Sequence, residues 1–236
     1  MQNENRRINE ALNAKSKHTY ENGVLINKLD IHNQEELDEV ETSLCLLRLT
    51  NLSMQENRFA FDLKYYLNIH KYIFQDVYPF AGDIRDENIT KGNTPFCRPE
   101  FIVNYLKYNL DEMKKKAFKI TSKEEYINFL SYYYSELNMV HPFREGNGRV
   151  LREYLRQMVK YLNNFLPLTS YELDYSNISK EVREKLINGS IIGAMTGDLT
   201  LLNRFFEVVL KEKNLGEKEK NRWCCVKNKN NGWNFS

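Results

Sequence analysis

The sequence predicts a mainly α-helical protein. Three observations carry that prediction. Apolar residues recur at helical spacing over one long stretch after another. Capping residues stand at the starts of several of those stretches. Only five prolines occur in 236 residues, all between positions 79 and 167, so most of the chain holds no residue that breaks a helix.

In chain order, the periodicity places helices at about 5–15, 34–52, 60–76, 99–117, 122–140, 147–163, 179–194 and 198–213. The second opens on Asn33 ahead of Glu35 and Glu36, then sets out Leu37, Val40, Leu44 and Leu47. The third carries Phe61, Leu63, Tyr66, Leu67, His70 and Ile73, with His70 read as a packed or partly exposed helix residue. Residues 86–98 are polar and turn-rich, and predict a hairpin with Gly92-Asn93 at its tip. Ser122 followed by Glu125 is a capping-box pattern for the fifth helix, and Pro142 disfavours helical geometry at His141 and so helps to end it. Leu151, Tyr154, Leu155, Met158 and Leu162 define the next amphipathic face. Tyr132, Tyr133 and Tyr134 cannot all point inward. The domain boundaries that follow are an N-terminal helical extension over 1–20, one folded domain over 21–212 and a charged tail over 213–236. No internal repeat is found.

Composition narrows the function. Lys and Arg number 34 against 32 Asp and Glu, so the net charge of +2 supports neither a nucleic-acid nor a membrane-surface partner. The mean hydropathy is −0.63, and no uncharged apolar run approaches a membrane span. The start, Met1 to Arg7, is not followed by an apolar segment, which predicts a cytoplasmic protein. Export by a specialised secretion apparatus stays open, because such signals need not be hydrophobic. Cys45 reads as a small buried hydrophobe, and the adjacent Cys224 and Cys225 lack metal-ligand spacing.

One segment does not read as core. His141-Pro142-Phe143-Arg144-Glu145-Gly146-Asn147-Gly148-Arg149, with Arg152 three residues on, lies between two predicted helices. Gly146 and Gly148 permit a tight backbone path at a helix N-terminus, where free N–H groups and the dipole attract anions. Arg149 and Arg152 in the first turn oppose that dipole, which argues for a bound anion, and guanidiniums clamp phosphate oxygens bidentately. Glu145 can hold Mg²⁺, which needs few protein ligands beside phosphate and water. An unperturbed imidazole has a pKa close to neutral, so His141 is suited to accept a proton from a hydroxyl. Phe143 reads as the apolar anchor of the loop.

This segment resembles the active-site signature of Fic-domain proteins (filamentation induced by cAMP), and matches it at each motif position. Asp76 to Arg85 resembles the stretch leading into that family's target-binding flap, and Leu25 to Leu29 its N-terminal stretch. The likeness spans about residues 20–210. It implies a Fic-type helical bundle with a short β-hairpin flap. It also implies a nucleotidyltransferase, a protein adenylyltransferase that moves AMP from Mg·ATP to a Ser, Thr or Tyr hydroxyl of a target protein and releases pyrophosphate. Carried over by position, His141 is the catalytic base and Glu145 the metal ligand. Gly146, Asn147 and Gly148 form the anion hole. Arg149 stabilises the β-phosphate and counts as catalytic, and Arg152 reaches the γ-phosphate. Ile89, Thr90, Lys91 and Gly92 belong to the flap, which pairs with an extended piece of the target.

The family's kinase branch carries Lys where this chain has Gly148, which disfavours that activity. Two other readings stay open: a nucleotide-binding scaffold without turnover, and transfer of another phosphate-linked group such as UMP or phosphocholine. Many relatives in the family carry an inhibitory helix with Ser or Thr, three residues, Glu, then Gly or Asn. Here only Thr121 and Glu125 have the spacing, Tyr126 follows, and capping explains the pair better. Two arrangements follow from the resemblance. The chain is a toxin restrained by a separate small antitoxin that supplies the helix, or it is free-running. Dimerisation is common in the family, so a homodimer also stays open.

Overall fold

In a computed structural model of the chain, residues 16–213 are described, apart from Asn57, Gly92, Asn93 and Asn177. The helix expected at 5–15, the hairpin tip at Gly92-Asn93, Cys224-Cys225 and nearly all of the charged tail lie outside the described residues. Seven helices are found among the described residues: α1 Gln34–Met54, α2 Leu63–Phe74, α3 Pro99–Ala117, α4 Lys123–Val140, α5 Asn147–Leu162, α6 Lys180–Thr196 and α7 Thr200–Val209. None of them is long and apolar enough to cross a membrane.

Their starts follow local chemistry. Asn33, Asp62, Ser122 and Ser179 each accept a hydrogen bond from a first-turn N–H of the helix behind them. The Asp62 cap explains why α2 begins at Leu63 rather than near position 60. The carboxylate of Glu125 accepts from both the N–H and the hydroxyl of Thr121, at 2.7 and 2.9 Å, so this pair does cap α4.

Helix α4 is the hub, packing against α3, α5, α6 and α7, while α2 lies between α1 and α5. The core is rich in aromatic rings: Tyr66, Phe74, Tyr78, Tyr126, Tyr133, Phe143 and Tyr154 are all fully buried. Of the three consecutive tyrosines, Tyr133 and Tyr134 are buried and Tyr132 is exposed. Helix α6 approaches α4 closely because Gly193 leaves room. A Cβ there would lie 2.8 Å from Ser135 Oγ.

Two expectations are corrected. Helix α7 ends at Val209, and Leu210–Glu212 is a strand, β4, not the last turn of a helix. It pairs antiparallel with β3, Tyr171–Leu173, in the register Leu173 to Leu210 and Tyr171 to Glu212. The partner lies some forty residues earlier, and a pairing that distant leaves no mark on local periodicity. On α1, the buried face is Leu37, Glu41 and Cys45, while Leu47 is exposed. An acidic residue thus occupies a core position.

The flap is a hairpin of β1, Thr90–Lys91, and β2, Thr94–Pro95, paired Thr90 to Pro95 and Lys91 to Thr94. Its base is fixed by Arg85, a buried guanidinium that donates to the carbonyls of His141 (2.8 Å), Glu87 (2.6 Å), Val140 (3.4 Å) and Cys97. The Arg85 N–H also donates to Pro142 O at 2.9 Å, and the Cys97 N–H to Met139 O at 3.0 Å. Flap and α4–α5 loop are therefore one hydrogen-bonded unit.

Candidate active site

The loop between α4 and α5 is shaped by a few strong local demands. His141 ends α4 in the left-handed region, with φ 45° and ψ 60°. Gly146 precedes α5 at φ 80°, and a Cβ on it would sit 2.2 Å from the Phe74 ring, so both conformation and space exclude a side chain. Asn147 closes the loop on itself: its Oδ1 accepts from the Phe143 N–H at 2.8 Å, and its Nδ2 donates to the Phe143 carbonyl at 2.7 Å. Phe143 is fully buried and stacks on His70 at 3.8 Å between ring centroids. The Asn147 side chain is thus committed to the loop, and what it can offer an anion is its backbone N–H. The N–H groups of Asn147 and Gly148 lie in the first turn of α5, where no intrahelical acceptor exists.

His141 is held in place on two sides. Its Nδ1 lies 3.0 Å from the Asn138 carbonyl, which can only accept, so Nδ1 carries the proton and Nε2 the lone pair of the neutral ring. Phe96, just past the flap, stacks on the imidazole at 3.7 Å and 12°.

These groups line one cleft of about 690 Å³. His141, Glu145, Gly146, Asn147, Gly148 and Arg152 meet there, with Ile89 and Thr90 of the flap on one rim. The opposite wall is α6, through Arg183, Leu186, Ile187, Ser190 and Ile191. The sequence reading did not find that wall, since nothing in its local pattern separates it from an ordinary amphipathic helix. Tyr154, Leu155 and Met158, on the amphipathic face expected for α5, are fully buried core.

Arg149 is the exception among the predicted residues of the α4–α5 segment. It lines the adjoining groove, which shares Glu145 and Arg152 with the cleft. Its guanidinium pairs with Glu41 of α1, lies 3.5 Å from the Glu145 carboxylate, and covers the face of Phe74 at 4.8 Å. Glu145 also accepts from the Gly146 N–H at 2.7 Å. Arg152 and Tyr134 both line the cleft.

His70 is wholly buried rather than partly exposed. Its Nδ1 accepts from the Gly82 N–H, and its Nε2 reaches the Glu145 carbonyl. Burial pushes its pKa down to about 4, so the ring is neutral. Cys45 is buried, as the sequence suggests, and burial pushes its thiol up to about 11.

The uncapped start of a helix, with guanidiniums, carboxylates and a held imidazole around it, forms a cleft suited to a phosphorylated ligand beside a base. Comparison with known proteins agrees. Residues 60–159 match the model of the Fic/DOC family. The chain is 32% identical over 181 residues to "Probable protein adenylyltransferase y4lH" of Sinorhizobium fredii, covering 76% of this chain and 87% of that one. It is 29% identical over 197 residues to "Probable protein adenylyltransferase Fic" of Escherichia coli (strain K12), covering 83% and 91%. The fold is that of the N-terminal Fic domain of a VirB-translocated effector of Bartonella quintana, solved with ADP bound (TM-score 0.71, 23% identity, 84% of this chain and 95% of that one). It is likewise that of BepC from Bartonella tribocorum, solved with AMPPNP (TM-score 0.68, 21% identity, 80% and 93%). The chain belongs to the Fic/DOC family.

Proposed function

We propose that the chain is a protein adenylyltransferase, moving AMP from Mg·ATP to a Ser, Thr or Tyr hydroxyl of a target protein. The observation that carries this reading is that His141, its Nδ1 held by the Asn138 carbonyl, lines the same cleft as the uncapped start of α5. His141 takes the proton of the target hydroxyl. The hydroxyl oxygen bonds the α-phosphorus as the bond from that phosphorus to the bridging oxygen breaks, and pyrophosphate departs. Negative charge on the phosphates meets the N–H groups at the start of α5 and the guanidinium of Arg152, which act by position and charge alone.

Among the described residues no cluster of three or more His, Cys, Asp or Glu forms a metal cage. The one half-exposed carboxylate at the cleft, Glu145, fits the Mg²⁺ mode, in which phosphates and water complete the shell. Bound there, the ion would neutralise phosphate charge. A target strand would add to the flap through main-chain bonds. The family pattern for an internal inhibitory helix does not occur in the sequence, so a separate small protein is the proposed source of restraint. Co-expression of a candidate with the chain, scored by relief of growth arrest, tests it.

The test of the activity is intact-mass spectrometry of the chain and of host proteins after incubation with Mg·ATP, beside His141→Ala. A gain of one AMP that vanishes in the variant is expected. Adducts from other donors, and none from ATP, would replace the donor; tight ATP binding without any adduct would favour the scaffold reading.

A further inference from the structure

Arg149 is held by a residue that lies outside the matched family segment. Glu41 is on α1, at a position where the helix otherwise buries Leu37 and Cys45. Its Oε1 accepts from Arg149 Nη2, and its Oε2 accepts from the Tyr78 hydroxyl. Both oxygens are therefore used, and the carboxyl group is almost completely buried.

Two roles are compatible with an acid beside an arginine that serves phosphates. Glu41 could compete with the ligand for Arg149, or it could hold Arg149 for the ligand. Energetics separate them. Releasing Arg149 would leave a buried carboxylate with only a tyrosine hydroxyl, at a cost of several kcal/mol. Arginine has five N–H donors in a rigid fork, and Glu41 engages one nitrogen. Arg149 can thus keep Glu41 and still serve a phosphate. There is a further consequence. Glu145 lies in the loop just ahead of α5, four residues before Arg149 and 3.5 Å from its guanidinium. Without Glu41, the guanidinium would be drawn fully to Glu145 and would neutralise the carboxylate that the cation needs.

We propose that Glu41 is a positioning residue for adenylyl transfer: it anchors Arg149 at the edge of the cleft, where it serves the departing phosphates, and keeps its contact with Glu145 a long one. Tyr78 in turn fixes the Glu41 carboxylate. This assignment rests on the adenylyltransferase reading above.

The test compares wild type with Glu41→Ala, Glu41→Gln, Arg149→Ala and the double variant Glu41→Ala/Arg149→Ala. It measures kcat and KM for Mg·ATP, the affinity for a non-hydrolysable ATP analogue by calorimetry with and without Mg²⁺, and Tm. Glu41→Ala should lower kcat roughly 100-fold, the lower end of the loss that follows removal of one oriented donor. It should also shrink the gain in analogue affinity that Mg²⁺ gives. Glu41→Gln keeps an acceptor for Arg149 and should stay within about fivefold of wild type. The double variant should be no worse than Arg149→Ala, because residues acting as one unit are not additive. Multiplying losses in the double variant would overturn the assignment, as would a gain of activity in Glu41→Ala, which would make Glu41 a competitor. Equal losses in the Ala and Gln variants that track Tm would reduce Glu41 to a packing role and also overturn it. A wild-type chain that neither transfers AMP nor binds the analogue would overturn the adenylyltransferase reading itself; transfer by wild type with additive losses would overturn only the role of Glu41.

Discussion

His70 and Glu145 are joined by a hydrogen bond of 3.1 Å from the imidazole Nε2–H to the backbone carbonyl. The direction is forced, because Nδ1 already accepts from the Gly82 N–H at 2.7 Å. One buried ring thus ties α2, the start of the flap segment and the cleft loop together.

Burial of this ring makes stability depend on pH. The His70 pKa is lowered from 6.5 to about 4 by burial, so below 6.5 the unfolded chain binds a proton that the folded chain refuses. Its contribution is fully present above pH 6.5 and is lost as pH falls toward 4, by about 1.4 kcal/mol per unit and about 3 kcal/mol in all. Denaturant midpoints from pH 7.5 to 4.5 should fall more steeply for wild type than for His70→Gln. Equal slopes would show that His70 is not the group responsible.

Replacing Gly146 should be costly for two separable reasons. Gly146→Ala incurs the left-handed backbone and the clash with Phe74, together about 2–5 kcal/mol. Adding Phe74→Leu should restore part of the loss in Tm by relieving only the clash. No recovery would assign the whole cost to the backbone.

Phe96 lines the cleft and stacks its ring on the His141 imidazole. Phe96→Ala removes the stacked ring and should lower kcat roughly tenfold while leaving ATP-analogue affinity within about twofold. A matching loss of affinity would mean that the cleft as a whole has shifted.

Arg85 donates to four carbonyls from a buried position, and burial pulls its pKa down. Arg85→Lys keeps the charge and loses the planar fork. It should cost about 3 kcal/mol and speed proteolysis within 86–98. Unchanged cleavage kinetics would show that the flap is held by other contacts.

Much of this molecule is readable along the chain. The helices announce themselves through caps such as Asn33 and Ser122, and the cleft residues from His141 to Arg152 are nearly contiguous, so one stretch of sequence carries most of the chemistry. What stays hidden depends on distant partners. Glu41 reads as one more acid on a charged helix until Arg149 meets it. His70 reads as packing until Gly82 and Glu145 bracket its ring. Strand β4 reads as the tail of a helix because Tyr171–Leu173 is not in the same window.

The fourfold clasp of Arg85 makes the flap a ruler. Its zero mark is the His141 carbonyl, so distance along the hairpin is distance from the base. A strand laid on the hairpin is measured by backbone register, and side chains alternate faces with each step. On the reading proposed above, a target hydroxyl would be selected by where it falls along that scale more than by its neighbours' identity. Lengthening the segment between Arg85 and Thr90 by one residue would recalibrate the scale and turn the opposite face of the bound strand toward His141.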